Sequence, residues 1–590
     1  MKANRFFRLL ALCFLSVLLL SGCSGSAERL WVEAPGWSRA RLVGSTRVGD
    51  PAPFARDPAG RLYFFFIVGE AEPYHPRIVA VDARTESLWQ REYPQIEIRR
   101  PDLPDIVWDR GQLRLFWLGQ EQLYTAVVEP ATGLMRDWPL LLSGEKKVGN
   151  YALAQGQDGR LHVWFAGTLR NPGLYALPPD AFGAEPLLVD PQGVRPGLAL
   201  DAEGTLHAIW AHMRKGETYN PIFYAAYPQG EFRPGAEQEV ARPLASTTSI
   251  VAGPFLGMDA DFIYVLWSIE IRTGMSAGSV ETGYVAFPRG RPGPAMQMQS
   301  VRVPAVHELP YRAVEDGGFV AGDRVVLAET RLPSTGQVTS LAPTRTTRPE
   351  MALAHRALVE YLMRKDEMQV STLFFREGQP HSYQLISFTA GDSRSPYLLA
   401  DEEGYLYLSW LERGDVAGFL VYVASTSPAA RQHLARLSQE DVLRLGARTL
   451  FGLVSGMLLI PFALMWFAAP LLLVLLTAPL RAGREEWQNP RVLASLVISL
   501  AGYWVSKMVF LPGIREYVPF TAWIPVIPRG LYLPLQILTP LLIALFAIWV
   551  AKRFTFDRLR NSPLLFVLLY CTVDGLLTTA VYGVIIFATN

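Results

Sequence analysis

Cysteine is nearly missing from this chain of 590 residues: Cys13, Cys23 and Cys571 are its three cysteines, and none lies between the last two. The long middle region therefore holds no disulfide and no thiolate metal site, which removes cysteine-based zinc and redox chemistry from it. An excess of one charge is missing too. The 55 Lys and Arg against 54 Asp and Glu leave a formal charge of +1, so no overall field draws the protein to nucleic acid or to an acidic surface. Histidine is sparse, with eight in all. Only His207 and His212 are near one another, and His162 takes the same repeat position as His207; lacking carboxylates at ligand spacing, they read as packed strand residues, and no metal is expected. There is also no phosphate-binding Gly loop, no nucleophile elbow and no EF-hand loop, so no cofactor is expected either.

What is present is unevenly spread. Half of the residues are apolar and 18% are charged, enough for a large core and too much chain for one ordinary domain. Long apolar runs crowd the C-terminal quarter, whereas the preceding region is mixed and rich in Gly, Pro and aromatics. The chain divides near residue 430.

The first 23 residues have the form of a secretory signal: Lys2, Arg5 and Arg8 precede an apolar stretch, Leu9 to Leu20, that is too short to span a bilayer comfortably. The following Leu20-Ser21-Gly22-Cys23 resembles the lipobox of bacterial lipoproteins. That resemblance implies acylation of Cys23, which becomes the mature N-terminus. Cys13 lacks the pattern because bulky Leu12 precedes it. The alternative is an uncleaved anchor with Cys23 incidental, and either reading puts the residues after 23 outside the cytoplasm. A single acyl chain holds a protein only marginally, so it would supplement another anchor. Residues 24–49 read as a linker.

Between residues 50 and 428 one pattern recurs, an Asp-containing turn, a Gly, and a run of the form Gly-x-Leu-x-x-x-aromatic. Its copies begin at Gly60, Gly111, Gly159, Gly204 and Gly404, with a degenerate copy from Asp261 to Trp267. Gly accepts the positive φ of a tight turn, Asp bonds nearby backbone groups, and the Leu and aromatic share one side of a strand. Neighbouring copies lie about 45 to 57 residues apart, the length of a four-stranded propeller blade. The fourth unit reads in full, with strands at 197–201, 205–210, 222–227 and 237–241. From Asp261 to Gly404 the clear repeat lapses, leaving room for two blades with candidate strands at 323–329, 357–362 and 370–376. The expected fold is an all-β propeller of seven blades, or eight, with a pair of β-sandwiches as the competing architecture.

This region resembles the broad class of β-propellers in exported bacterial proteins, a likeness of fold and not of activity. Sialidases carry Ser-x-Asp-x-Gly-x-x-Trp boxes before the last strand of a blade; here the Asp-Gly turns precede the second strand, and no arginine triad can be nominated. The run Ala80 to Trp89 is similar to the tryptophan motif of quinoprotein dehydrogenases, with an echo at Thr132, Gly133 and Trp138, but it fades after two blades. Blade packing is its simpler reading. The polar loops joining second and third strands supply candidate ligand-binding residues, Arg214, Lys215 and Glu217, Glu270 and Arg272, and Glu412 and Arg413. Converging on one rim, they would bind a peptide, glycan or protein partner; as isolated residues they are solvated loop tips.

Residues 429–448 read as a juxtamembrane amphipathic helix, and 449–590 as a transmembrane bundle of about four helices, near 449–478, 492–511, 530–550 and 563–587. With the propeller outside, the inner connections hold Arg481, Arg484, Arg491, Lys552, Arg553, Arg558 and Arg560, while the outer loop has only Arg515 and Arg529. That bias agrees with export across a bacterial plasma membrane. Lys507 and Asp574 fall within spans, where ionisable groups are costly unless paired. An interhelical ion pair is expected, serving as a structural lock ahead of an ion pathway.

The function that fits is a membrane-anchored extracytoplasmic propeller that binds or scaffolds an envelope component. The alternatives are a membrane-tethered propeller hydrolase acting on glycans, and an accessory subunit of a membrane transport or export machine. A deep central pocket with arginines and paired carboxylates would favour the hydrolase; a flat or aromatic rim would favour binding.

Overall fold

A computed structural model describes residues 34–589 apart from 157, 214–218, 247, 275, 294–296, 305, 309–323, 330–333, 336, 362–364, 388–391, 415–417, 435–445, 447–449, 451–455, 457–459, 478–489, 512–516, 521–526, 528 and 558–561. Antiparallel sheets follow one another along the chain and make a propeller of seven blades. Blade 1 comprises Phe54–Arg56, Leu62–Val68, His75–Val81 and Ser87–Glu92, from the axis outward. Blades 2 to 5 repeat this plan over 101–141, 150–190, 193–241 and 250–300. Blade 6 is built on Val338–Pro343, Met351–Tyr361, Lys365–Arg376 and Gln379–Leu385. Blade 7 takes Ser393–Ala400, Leu406–Arg413 and Phe419–Ser425 from the end of the domain and Arg41–Thr46 from its beginning.

Two expectations need correction. Residues 24–49 are not simply a linker, because Arg41–Thr46 pairs with Phe419–Ser425 and closes the ring. Joining the two ends of a propeller in one blade gives that outer position a strand drawn from the far end of the chain, a pairing that no local pattern encodes. The interval between Asp261 and Gly404 holds one blade beyond the fifth, not two. Its surplus goes into short pieces between blades 5 and 6: Val303–Pro304 with Ser334–Thr335, Val306–Glu308 beside the end of Met351–Tyr361, and Val325–Val326 on the edge of blade 6. The stretch expected as a strand at 323–329 is that two-residue pairing followed by a 3₁₀ turn, Leu327–Glu329.

The second strand of a blade lies between two neighbouring sheets, so both of its faces are apolar. Leu62–Val68 is buried at every residue. Its odd-numbered side, Tyr63, Phe65 and Ile67, packs with Ile106, Leu115 and Trp117 of blade 2, and its even side, Phe64 and Phe66, with Leu411 and Val423 of blade 7. Period-2 alternation thus distributes one strand between two interblade cores.

The repeated Asp organises the turn before that strand. In three copies, Asp57, Asp201 and Asp401 accept the N–H four residues on at 2.7–2.8 Å, and the carbonyl of each receives the N–H of the turn glycine at 2.9–3.2 Å. The second carboxylate oxygen reaches the strand: Tyr63 OH donates to Asp57, His207 Nε2 contacts Asp201 at 3.1 Å, and Tyr407 OH donates to Asp401. An arginine from the adjoining blade completes two of these sites, Arg56 to Asp401 at 3.4 Å and Arg289 to Asp201 at 3.6 Å. His207 is therefore a strand side chain held by Asp201 and Tyr224, the latter at 2.8 Å. Trp89 packs against Gly133 and donates to Pro130 O of blade 2 at 3.1 Å, so its motif serves blade packing.

Beyond the ring, a short helix α1, Pro428–Leu434, is the described part of the expected amphipathic segment. It is followed by α2 (Ile460–Leu476), α3 (Pro490–Phe510), α4 (Tyr532–Asp557) and α5 (Pro563–Thr589). Among the described residues, three helical segments, in α3, α4 and α5, are long and apolar enough to cross a membrane, while α2 is a shorter apolar helix containing Pro470. Trp466, Phe467, Leu496, Tyr503, Ala547, Val567 and Tyr570 form their shared core. Val505, Val509, Leu542 and Trp549 face outward, each more than half exposed.

Candidate binding site in the central channel

The inner strands of five blades break register at matching places: Asp102/Asp105, Val194/Gly197, Ala252/Phe255, Thr339/Ala342 and Arg394/Tyr397. Each break has a residue in the left-handed region, Leu103 (φ 46°), Arg195 (53°), Gly253 (96°), Ser340 (54°) and Ser395 (49°). In four of them proline follows, as Pro104, Pro196, Pro254 and Pro396. A residue before proline prefers extended backbone, and a side-chain-bearing residue held left-handed costs about 1–3 kcal/mol. Bulges of this kind end regular pairing and re-aim the residues beyond them. Here Asp105, Gly197 and Phe255, just past their bulges, line a cavity of about 460 Å³ together with Asn150, Tyr151, Arg195 and Arg345.

The cavity concentrates ionisable groups inside the ring. Tyr397, which occupies in blade 7 the position of Asp105 in blade 2, directs its hydroxyl to Asp105 Oδ1 at 3.4 Å, and the Ile106 N–H donates to the same oxygen at 2.8 Å. Burial raises the Asp105 carboxyl to about 6, opposed by the Ile106 N–H, Arg345 and Tyr397. Beside it the Asp50 and Asp102 carboxyls converge on the Leu103 N–H, at 3.4 and 3.0 Å. Burial, then the neighbouring Asp102, pushes Asp50 up to about 7. Tyr151 sits among these groups and donates to Leu103 O at 2.5 Å; burial, then the charge of Asp105, holds its phenol well above the usual range.

Arg345 enters from the turn after the inner strand of blade 6 and crosses the channel. Its Nη1 donates to Leu153 O of blade 3 at 3.2 Å and its Nε to Leu256 O of blade 5 at 3.5 Å. Arg195 donates to Val251 O and, at 3.5 Å, to Gly253 O of blade 5. Burial lowers the pKa of both guanidinium groups. Arg345 has protein on most sides, but its side chain faces the open channel and is exposed there.

Of the residues expected at the rim, Glu270, Arg272, Glu412 and Arg413 are described. Arg214, Lys215 and Glu217 lie outside the described residues, as does Cys23. Glu270 and Arg272 pair with each other at 3.0 Å in the open, 40% and 54% exposed, which neutralises both. Glu412 is a correction: it is not on a loop tip but in the strand Leu406–Arg413, buried, with Oε1 accepting from Trp410 Nε1 at 2.9 Å and Ser393 Oγ at 3.4 Å. The second strand of blade 7 runs farther than its motif suggested and carries Glu412 inward; Arg413, next along, is exposed. In the helical region Lys507 Nζ lies 2.7 Å from Asp574 Oδ2, with both side chains fully buried. Tyr503 OH donates to the same oxygen at 2.7 Å, and Thr578 Oγ1 at 3.3 Å.

The channel residues escaped sequence reading because they come from the inner strands and turns of different blades, five of those strands interrupted by bulges. A signal for them does exist in the dipeptides Leu103-Pro104, Arg195-Pro196, Gly253-Pro254 and Ser395-Pro396, each near the start of an inner strand.

No family model and no curated protein matches the chain. Among solved structures, the polysaccharide lyase Uly1 is similar at 9% identity over 64% of this chain and 90% of that one, with a TM-score of 0.43. An α-L-arabinanase of Penicillium chrysogenum is similar at 11% identity over 65% and 97%, with a TM-score of 0.36. A Trypanosoma rangeli sialidase is similar at 11% identity over 68% and 61%, with a TM-score of 0.35. Likeness at this level transfers neither activity nor site residues to this chain.

Proposed function

We propose that this protein is a membrane-anchored, extracytoplasmic binding module whose central channel takes a polar ligand of the cell envelope. The observation that carries the reading is the set of bulged inner strands, which meet the strain of left-handed residues in order to bring Asp105, Arg195 and Tyr397 to the channel. Strain held at Leu103 and Arg195, equivalent positions of two blades that line one cavity, is expected of a site and not of blade packing, which needs no such departure from regular pairing. The cavity volume falls within the range of small-ligand sites, and aromatic rings beside hydrogen-bonding groups suit a saccharide.

The membrane part of the reading is supported by the outward apolar faces of α3 and α4, which would be a severe liability in water. Arg491, Lys552 and Arg553 flank the helix ends that would lie inside if the propeller is outside. Signal-like residues 1–23 support the same orientation, and acylated Cys23 would add a second tether.

A second reading, a membrane-tethered glycan hydrolase, draws on Asp105. A carboxyl raised to about 6 beside a tyrosine hydroxyl has the acidity of a general acid at neutral pH. Full-length protein in mild detergent, screened by thermal shift against envelope-derived oligosaccharides and peptides, tests the channel reading. Binding that disappears when Asn150→Trp fills the cavity is the expected result. Binding that survives this substitution, in a variant that folds, places the site elsewhere. Time-dependent release of shorter saccharides, lost in Asp105→Asn, would move the protein to the second reading.

A further inference from the structure

Arg195 and Arg345 share one cavity, and among the described residues neither has a carboxylate within ion-pair distance. By contrast, the arginines of the blade turns are paired, as Arg61 with Asp57, Arg114 with Asp109 and Arg289 with Asp201. Arg345, exposed, and Arg195, half-buried, both face the channel, so a ligand that displaces channel water without bringing a counter-charge would leave them desolvated at a cost. Backbone carbonyls of Leu153, Leu256, Val251 and Gly253 meet part of the hydrogen-bonding demand of the two guanidinium groups, but they supply no net charge. Each carbonyl contact also fixes the orientation of a fork whose remaining donors suit a planar oxyanion.

We propose that the channel is an acidic-saccharide site, in which the carboxylate of a uronate-type residue lies on Arg345 and Arg195 while its hydroxyls meet Asn150, Asp105 and the Tyr151 ring. The inference rests on the reading of the channel as a ligand site and adds the chemistry of the ligand. Asp105 acts on Arg345 only from beyond ion-pair distance, and a ligand carboxylate supplies a counter-charge in direct contact with both arginines. Asp105 then serves a sugar hydroxyl as a hydrogen-bond partner, and Tyr151 offers an apolar face to the ring. Such recognition is selective, because a neutral sugar displaces water from the two guanidinium groups without bringing them a counter-charge. A sulfated sugar presents a related oxyanion, so the two acidic groups are separate arms of the test.

The test uses the full chain in mild detergent and calorimetric titration with three probes: oligogalacturonate, the matching neutral galactose oligomer, and a sulfated galactose oligomer. Oligogalacturonate is expected to bind at least tenfold more tightly than the neutral oligomer, and more tightly than the sulfated one. Raising ionic strength weakens that binding, and Arg345→Gln removes the preference while Arg345→Lys keeps part of it. Equal binding of acidic and neutral oligomers overturns the acidic assignment and leaves the channel reading intact. Tightest binding of the sulfated probe overturns the carboxylate assignment. Failure of all three to bind overturns the proposal; the Asn150→Trp result with the wider ligand set then decides the channel reading separately. Should Arg345→Gln not fold, the wild-type ratio of acidic to neutral affinity still decides between the outcomes.

Discussion

Asp105 offers the sharpest physical test, because its carboxyl sits in the ring with a raised pKa whose cause is visible. Moving it from 3.8 to about 6 is roughly two pH units, which converts to at most about 3 kcal/mol at neutral pH. Water in the channel screens the site, so an effect of about 1–3 kcal/mol is the fair expectation. The sign follows from proton binding: a native state that holds the proton more tightly than the unfolded chain is favoured at low pH. The contribution is complete below about pH 4 and is lost as the pH rises through about 6, after which it stays flat. Asn at this position keeps the size and can still accept from the Ile106 N–H and Tyr397 OH, but it cannot ionise. Asp105→Asn should therefore match the wild type near pH 4 and exceed it at pH 7.5 by a few degrees in the unfolding midpoint, followed by tryptophan fluorescence of the detergent-solubilised protein. A difference that is flat across that range, or one that favours Asp at pH 7.5, would refute the burial argument.

Other expectations follow from the same structure. Lys507→Met leaves Asp574 buried without its cation and should cost about 3–5 kcal/mol in the helical region, whereas pairing it with Asp574→Leu should recover much of that loss; a double variant destabilised by the sum of the two single losses would show that the pair is not coupled. Gly404 has φ 87° beside Arg348, so Gly404→Ala should destabilise the propeller by about 1 kcal/mol or more, measurable by denaturant unfolding. Deleting residues 34–46 removes the outer strand of blade 7 and bares the edge of Phe419–Ser425; faster proteolysis of blade 7 than of blade 4 is the expected readout.

Much of the propeller was written locally. The Asp turn and the Leu-to-aromatic run mark six second strands, because a turn needing positive φ and a strand buried on both faces each demand particular residues within a few positions. Blade 4 appears nearly where its pattern put it, with Gly193–Leu200, Leu206–His212, Ile222–Tyr227 and Gln238–Ala241. Blade 6 was obscured because its turn lacks the Asp and Gly, and because the inserted pieces before it mimic the length of another blade. Glu412 was misplaced for a different reason: strand ends depend on neighbouring strands, and Leu406–Arg413 gains three more pairs with Phe419–Ser425 beyond its motif.

By itself, then, the sequence determined the repeating unit, the division near residue 430 and the apolar lengths of the C-terminal helices, since each depends on the chemistry of adjacent residues. Only the tertiary structure decided that the ring closes at seven blades with Arg41–Thr46 as its final strand, and that Asp105, Arg195, Arg345 and Tyr397 share one channel. Those residues are brought together by the angular step from blade to blade, accumulated around the ring, and no stretch of sequence contains that sum.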